Sequence, residues 1–462
     1  MNQYTKCFLS IAAALMLFTA SPMEGQAAAS PSPVTYKTEV KVKLLQTSTF
    51  SLTLTGGYDI VNLDTNASIA LTSQKLNVSQ ASGKVTISDG KTNFTSAKGF
   101  NVNEITVSSD NEVLISKVQT SFGLSDVSFR GSFEIRPGAS APLVLNKLDV
   151  EDYLRGVVPS EMPASWPLEA LKAQATAARS YAYTQMKQKK AVGYIEMTTA
   201  SQVYNGKSQE NSRTDQAVAE TKDTYPLYNN VPIESFFYSS SGGYTLSSEY
   251  VWGNPIPYLI GVEDHYDNVT GNPQYGWEFL NYADKIAAKL GLTTNQQLLD
   301  LVITDQDPGK AVLAMDAKIL DKISGTIDSV PMIPTYARYP DSFRSLFGIT
   351  LKSTKFTVNS DSHAKIMLAD GTVRDTNYLA GFKMQAADGS LKTIQTANVP
   401  VKTSTTTSYL PSYPESFTFT GNGYGHSLGM SQWGARGMAE AGFTYDQILK
   451  HYYTGIEIKK WP

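Results

Sequence analysis

Cysteine is almost absent from this chain, since Cys7 is the one cysteine among 462 residues. It precedes an apolar run at residues 8–20, and three alanines at residues 27–29 stand before Ser30. A weakly basic start, an apolar run and a small-residue site in this order predict a signal peptide over residues 1–29, cleaved near Ala29. The exported chain would contain no cysteine, which excludes disulfides, thiol catalysis and cysteine metal ligands.

Histidine and net charge are also low. The four histidines, His265, His363, His426 and His451, form no HExxH pattern and no closely spaced cluster, so we expect no metal site and no cofactor. The formal net charge of −3 comes without a basic stripe, which argues against nucleic-acid binding. The apolar run at residues 8–20 is shorter than the roughly 20 residues of a membrane span, so membrane attachment would require an uncleaved signal.

One carboxylate stands out in the segment VVPSEMPASWP at residues 157–167. Glu161 lies there in an apolar turn that prolines brace. A carboxyl group in such surroundings loses hydration, which raises its pKa and can keep it protonated near neutral pH. A group of that kind can serve as a general acid. The alternative is a surface or helix-capping carboxylate, because structural acids far outnumber catalytic ones.

An alanine-rich helix is predicted to follow, from about Leu168 to Lys189, with Ser165 as its N-cap and Pro167 in its first turn. Small residues recur there at three- and four-residue spacing, which indicates a narrow face for close packing. Three polar or amphipathic residues of this helix are candidates for lining a cleft: Gln174, Arg179 and Tyr181.

Three motifs together resemble the SpoIID/LytB family of bacterial cell-wall proteins, over roughly residues 128–458. The first is the Glu161 segment with the helix after it. The second is SSSGGYT at residues 239–245, followed by VWG at 251–253 and PYL at 257–259. The third is GNGYGHSLGMSQWGA at residues 421–435, with YDQIL at 445–449 and YYTG at 452–455 behind it. Three motifs in the family's order make chance similarity an unsatisfactory explanation.

The resemblance implies a lytic transglycosylase that acts on peptidoglycan glycan strands, with Glu161 as the catalytic acid. In this chemistry a single carboxyl group protonates the glycosidic oxygen between N-acetylmuramic acid and N-acetylglucosamine. The carboxylate then accepts the proton of the muramic C6 hydroxyl. A 1,6-anhydro ring closes without water or a second acid, and the three motifs contain no obvious second acid. The LytB branch implies an alternative, a non-catalytic wall protein that enhances a partner amidase.

The third motif supplies the other expected site residues. His426 can hydrogen-bond a sugar hydroxyl or orient Glu161, or else bond a loop carbonyl in a structural role. The further candidates for substrate binding are Tyr424, Ser431 and Gln432 in this motif and Ser241, Gly242 and Gly243 in a turn of the second. Many family members have Gly and Val where this chain has Ser427 and Leu428, which leaves the backbone of that loop open.

The chain is long enough for two or more domains with their own cores. After a linker at residues 30–35, short alternating runs rich in Val, Thr and Ile predict a β-rich region at residues 36–127. This region is a candidate wall-binding module. Residues 128–462 form the SpoIID/LytB-like part. We expect an α+β fold of mixed sheets with few helices, in which the three motifs meet at one groove that suits a polymer.

Overall fold

The computed structural model describes residues 34–44, 47–120, 122–332, 344–345, 347, 351–386, 388–402 and 404–461. The predicted signal peptide at residues 1–29 and most of the predicted linker therefore lie outside the described residues. Across the described ranges, no helix is both long enough and apolar enough to pass through a membrane.

Short strands fill the chain as far as Asp149. They are β1 (Glu39–Leu44), β2 (Thr49–Thr55), β3 (Tyr58–Asn62), β4 (Ala67–Ser68), β5 (Lys75–Ala81), β6 (Lys84–Ser88), β7 (Asn93–Ser96), β8 (Phe100–Glu104), β9 (Glu112–Thr120), β10 (Gly123–Phe129), β11 (Ser132–Arg136) and β12 (Leu143–Asp149). Buried and accessible side chains alternate along strands such as β1 and β2, the pattern of strands with one face on a core. The prediction of a β-rich region is confirmed.

The helices follow, mixed with further strands. The helices are α1 (Val150–Glu161), α2 (Leu168–Gln188), α3 (Ser212–Glu220), α4 (Ser248–Trp252), α5 (Ala283–Lys289), α6 (Gln432–Glu440) and α7 (Tyr445–Tyr452). The strands are β13 (Ile195–Glu196), β14 (Thr224–Tyr228), β15 (Val231–Pro232), β16 (Phe237–Tyr238), β17 (Trp277–Tyr282), β18 (Gln296–Gln306), β19 (Val312–Asp321), β20 (Ile327–Pro331), β21 (Phe356–Ser360), β22 (Ala364–Met367), β23 (Val373–Thr376), β24 (Lys383–Gln385), β25 (Leu391–Thr393), β26 (Asn398–Lys402), β27 (Thr407–Pro411), β28 (Ser416–Gly421), β29 (Met430–Ser431) and β30 (Glu457–Lys460). The α+β expectation is confirmed.

One large core joins the N-terminal strands to the helices. A seven-stranded sheet has the order β13-β1-β12-β11-β8-β3-β4, and a six-stranded sheet has the order β10-β9-β2-β5-β6-β7. Strand β1 lies antiparallel to β12, with Val42 opposite Asn146. Apolar residues of both sheets pack in one cluster with α1, α2, α6 and α7. The division at residues 127 and 128 stays a prediction, but strands from both sides of it share this core.

A second core lies in the part of the chain between the second and third motifs. Strands β17, β28 and β21 form one small sheet, and β18, β19 and β20 form another. Their apolar side chains enclose a cluster that includes Trp277, Phe356 and Phe419. Because β28 ends at Gly421, this core delivers the chain directly into the third motif.

Helix α1 extends further than its sequence suggests. The sequence predicts a short helix ending near Gly156 and a turn around Glu161, whereas α1 continues through Gly156 and Pro159 and ends at Glu161. A Cβ atom on Gly156 would lie 2.6 Å from the Tyr204 ring, so this glycine allows close packing and does not end the helix. Met162 leaves the helix because the following Pro163 disfavours helical backbone at that position.

Helix α2 matches its predicted span to within one residue at its C-terminal end. Its start differs, because Pro167 occupies the N-cap position without a side-chain cap and Ser165 is exposed outside the helix. The prediction of a Ser165 cap is therefore wrong. Proline in place of a capping side chain is tolerated here, since the first helical N–H groups have no intrahelical partner in any case.

Two further predicted helices are strands. The sequence predicts helices at residues 295–301 and 318–323, but the structure has β18 and β19 there. A register shift between Leu298 and Asp300 marks a β-bulge, and Leu298 and Leu301 both enter the second core. A bulge changes the two-residue alternation of a strand, and the resulting three-residue spacing imitates a helix in the sequence.

Arg179 joins α2 to α1 inside the first core. Its guanidinium donates from Nε and Nη2 to the two carboxylate oxygens of Glu151, each at 2.8 Å, and from Nη1 to the Thr224 carbonyl at 3.1 Å. The Arg179 side chain has no exposed surface. The structure thus places Arg179 in the interior, away from any cleft, because every direction of its planar donor group meets a protein acceptor.

Arg179→Ala should lower the free energy of unfolding by about 3–5 kcal/mol, because it leaves Glu151 without its buried partner. Guanidinium-induced unfolding followed by circular dichroism measures this. The control is Lys172→Ala on the same helix, whose partners Glu169 and Glu220 are partly exposed and whose loss should cost less than about 1 kcal/mol. Equal small losses for both variants would contradict the assignment.

Candidate active site

A cleft of about 640 Å³ brings the first and third motifs together. It is lined by five residues that the sequence singled out, namely Glu161, Tyr181, Tyr424, His426 and Gln432. Glu161 comes from the end of α1, Tyr181 from α2 and Gln432 from the start of α6. Two neighbouring helices of the first motif and the distant start of α6 therefore supply one concave surface of a size that suits a small organic group or a short piece of polymer.

Glu161 has a fixed environment in this cleft. Its Oε1 accepts a hydrogen bond from the Val203 backbone N–H at 2.9 Å, and its Oε2 accepts one from Gln432 Nε2 at 3.3 Å. Burial raises the pKa of the Glu161 carboxyl, and these two hydrogen bonds lower it by a smaller amount. The carboxyl group thus favours its protonated form more than an exposed glutamate does, while one side of it faces the cleft.

Gln432 is held by the start of α6. Ser431 is the N-cap of this helix, and its Oγ accepts the Gly434 backbone N–H at 3.1 Å. Gln432 Nε2 also approaches Gln174 Oε1 at 3.5 Å. Gln174 is fully buried and is not among the lining residues of the cleft, and its contact with Gln432 links it to the residue that donates to Glu161. Ser431 is buried as well and acts on the cleft through the helix that it caps.

His426 lines the cleft with both ring nitrogens bonded to backbone. Nδ1 accepts from the Leu428 N–H at 3.1 Å, and Nε2 lies 3.1 Å from the Phe237 carbonyl oxygen. These partners assign a neutral imidazole that carries its proton on Nε2. His426 thus bonds a backbone carbonyl, as in its structural alternative, but that carbonyl belongs to strand β16 and not to a loop. Its ring packs against Phe236 and Tyr238.

Ser427 follows His426 with a φ of 65°. This left-handed conformation favours glycine and is uncommon for other residues. The loop therefore keeps a backbone suited to the Gly of many family members, even though serine stands at this position. Its carbonyl accepts the Leu246 N–H at 2.6 Å, and this bond ties the third motif to the second.

The turn formed by Ser241, Gly242 and Gly243 surrounds a carboxylate outside the cleft lining. The backbone N–H groups of Ser241 and Gly242 donate to Asp267, each at 3.0 Å. The neighbouring Ser239 does line the cleft. The structure thus brings the second motif to the cleft through Ser239 and the strand β16 before it, while Ser241, Gly242 and Gly243 are not among the lining residues.

Sequence reasoning did not single out several residues of this site. The additional lining residues are Thr199, Ser201, Phe236, Phe237, Tyr238, Ser239, Arg344 and Gly425. The residues at 236–238 directly precede the second motif, and Ser239 and Gly425 stand inside the second and third motifs, which was a usable signal. Thr199, Ser201 and Arg344 lie between motifs, where nothing in a single sequence marks them.

Sequence reasoning also missed two buried ionisable residues, Asp264 and Lys355. Asp264 has no exposed surface, and burial, followed by the charge of nearby Asp267, raises the pKa of its carboxyl to about 7. Burial lowers the pKa of the Lys355 ammonium to about 8. Lys355 Nζ donates to the Ser241 carbonyl at 2.7 Å and to the Tyr244 carbonyl, so the second core is attached to the second motif.

Within the described ranges, no three His, Cys, Asp or Glu side chains come together to hold a metal ion.

Comparison with known proteins gives the same relationship as the motifs. A family model described as Stage II sporulation protein matches residues 140–228, which include Glu161 and α2. The amidase enhancer of Bacillus subtilis is 35% identical over 330 residues, 67% of this chain and 40% of the enhancer. Stage II sporulation protein D of the same organism is 29% identical over 332 residues, 68% of this chain and 76% of that protein. This chain belongs to the SpoIID/LytB family.

An uncharacterised protein of Brachyspira hyodysenteriae extends the comparison. It is 30% identical over 362 residues, which are 78% of this chain and 79% of the relative. By contrast, the chain covers only about two fifths of the amidase enhancer's length. The likeness to SpoIID/LytB proteins therefore runs through most of this chain, while most of the enhancer lies outside the match.

Gly434→Ala should destabilise the site by about 1–3 kcal/mol, because α6 packs too closely for a side chain there. A Cβ atom on Gly434 would lie 2.0 Å from the Tyr452 hydroxyl and 2.5 Å from Asp264 Oδ2. Thermal and guanidinium unfolding measure the change. Gly57→Ala is the control, since its nearest neighbour would be 3.8 Å away. An unchanged stability for Gly434→Ala would contradict the packing described.

Proposed function

We propose that this protein is a peptidoglycan lytic transglycosylase that cleaves the bond between N-acetylmuramic acid and N-acetylglucosamine and leaves 1,6-anhydro-N-acetylmuramic acid ends. The observation that carries the proposal is the Glu161 carboxyl group, which opens on a cleft and whose pKa burial raises. Membership of the SpoIID/LytB family supports it. The proposal extends to a secreted, wall-associated protein acting in sporulation or wall remodelling.

The proposed reaction needs one group that gives and then takes a proton. Protonated Glu161 donates to the glycosidic oxygen as the bond to the muramic C1 breaks. The resulting carboxylate accepts the proton of the muramic C6 hydroxyl while the oxygen of that hydroxyl attacks C1. One bond to C1 is replaced by another, and Glu161 ends protonated as it began.

The cleft has the composition that this reaction uses. Among its described lining residues, Glu161 is the one carboxylate, whereas ordinary glycoside hydrolases use a pair of carboxyl groups at a set separation. Aromatic side chains form much of the wall, and Tyr424 is 47% exposed. Aromatic rings of this kind can pack on the apolar faces of sugar rings.

Gln432 and the Val203 N–H support the second half of the reaction. Both donate to the Glu161 carboxyl oxygens and so favour the carboxylate that remains after proton donation. A carboxyl group has about four lone-pair positions, and these bonds occupy two. The remaining positions are available for the proton and for the saccharide.

A second function is favoured by the amidase enhancer, which is 35% identical over two thirds of this chain. In that alternative, the protein would bind peptidoglycan and increase the activity of a cell-wall amidase without cleaving glycan itself. Glu161 would then serve binding or structure. The partner would be an amidase of the cell wall, and the cleft would hold glycan in either case.

Glu161→Gln should reduce glycan cleavage at least about a hundredfold, since the amide cannot donate the required proton. The assay digests purified glycan strands freed of stem peptides and measures anhydromuramic ends by mass spectrometry. Glu278→Gln, which changes an exposed residue of β17, is the control and should retain activity. If wild type and Glu161→Gln both fail to cleave while adding either protein accelerates an amidase, the enhancer function holds.

Cleavage should decrease as the pH rises through the pKa of Glu161, because the protonated form starts the reaction. Burial raises this pKa above that of an exposed glutamate, so activity should persist at a higher pH than an ordinary carboxyl group would allow. The rate at saturating glycan measured across pH values tests this. A cleavage rate that increases steadily as the pH rises from acidic to alkaline values would contradict the role of Glu161 as the acid.

A further inference from the structure

Asp267 connects the second and third motifs beneath the cleft. It lies in the short 3-10 helix His265–Asp267 and is fully buried. Its Oδ1 accepts from the Ser241 N–H at 3.0 Å and from Ser431 Oγ at 2.6 Å. Its Oδ2 accepts from Ser240 Oγ at 2.6 Å and from the Gly242 N–H at 3.0 Å. One carboxylate therefore holds three residues of the second motif and the N-cap of α6.

The bond to Ser431 determines how that hydroxyl serves the helix. A serine hydroxyl has one proton to donate, and Ser431 directs it to Asp267. The hydroxyl oxygen is then oriented to accept the Gly434 N–H in the first turn of α6. Gln432 is the first residue of this helix, and its side chain donates to Glu161. Asp267 is thus linked to the Glu161 carboxyl through Ser431 and Gln432.

We propose that Asp267 is a positioning residue for the catalytic acid: through the Ser431 cap it fixes the start of α6, so that the Gln432 amide stays bonded to Glu161. This inference rests on the proposed function for the catalytic role of Glu161, whereas the connection from Asp267 to Glu161 is present in the free protein. The pairing of β16 with β29, which sets Tyr238 beside Ser431, holds the same junction from the backbone side.

Other ionisable groups surround both ends of this connection. The charge of Asp267 affects the ionisation of four groups around it, those of Asp264, Lys355, Tyr238 and Tyr275. Tyr153 and Tyr181 lie close enough to Glu161 for its charge to affect their own ionisation. A substitution at Asp267 therefore changes the electrostatic environment of these four neighbours directly, whereas it affects the pKa of Glu161 through the start of α6.

The experiment measures the pKa of Glu161 by NMR of protein labelled with carbon-13 at the glutamate carboxyl, with Glu161→Gln to assign the signal. Gln432→Leu removes a hydrogen bond that lowers this pKa, and the pKa should rise by about one pH unit. Asp267→Asn should raise it in the same direction. The double variant should show no further rise, because both changes remove the same bond.

Asp89→Asn is the matched control. Asp89 is buried and accepts four hydrogen bonds from Thr72, Lys91 and Thr92, as many as the second motif and Ser431 together donate to Asp267. It lies in the N-terminal sheet region, so Asp89→Asn should lower stability without moving the pKa of Glu161. A purely structural role of Asp267 would give the same result as this control.

Ser431→Ala provides a second variant that leaves Asp267 in place, and it keeps the test decisive if Asp267→Asn fails to fold. It should also raise the pKa of Glu161. An unchanged pKa in a folded Asp267→Asn or Ser431→Ala protein, alongside a raised one in Gln432→Leu, would overturn the inference. The titration needs no substrate. Absence of glycan cleavage would therefore contradict the proposed function, while the pKa measurement would still test the link between Asp267 and Glu161.

Discussion

The desolvated carboxyl group of Glu161 is the constraint around which the cleft is arranged. Its place at the end of α1 adds to the effect of burial, because the carboxyl end of a helix carries partial negative charge and disfavours a carboxylate. Met162 leaves the helix directly after it, and Pro163 secures that exit. The backbone thus presents Glu161 at a helix end where its anion is disfavoured, and the Val203 and Gln432 donors partly offset this effect.

Those donors come from distant parts of the chain, so the site depends on long-range packing. Val203 lies 42 residues after Glu161, and Gln432 lies 271 residues after it. The second core contributes by bracing the loop before Gln432: Trp277 Nε1 donates to the Gly423 carbonyl at 3.0 Å, and Ser353 Oγ donates to the Asn422 carbonyl at 2.6 Å. A region with no lining strand of its own therefore helps to fix the cleft.

The sequence carried local signals well and indirect contacts poorly. Glu161, His426 and Gln432 stand in motifs with unusual glycine and proline content, and all three line the cleft. Arg179 carries the same kind of polar signal on an alanine-rich helix, yet it is buried against Glu151, a partner that only the packing of α1 on α2 reveals. Asp267 has no local signal, because its importance comes from donors of the second motif and Ser431 that folding brings together.

The two influences on the pKa of Glu161 oppose one another, and the proposed reaction, in which this group gives and then takes a proton, would benefit from that opposition. Burial and the helix end favour the acid, whereas the Val203 N–H and the Gln432 amide favour the anion. Burial acting alone would raise the pKa further and make the group a weaker proton donor to the glycosidic oxygen in the proposed reaction. Stronger donors would instead favour the carboxylate before a saccharide binds. A carboxyl group held between these limits can release one proton and recover another without a second acid beside it.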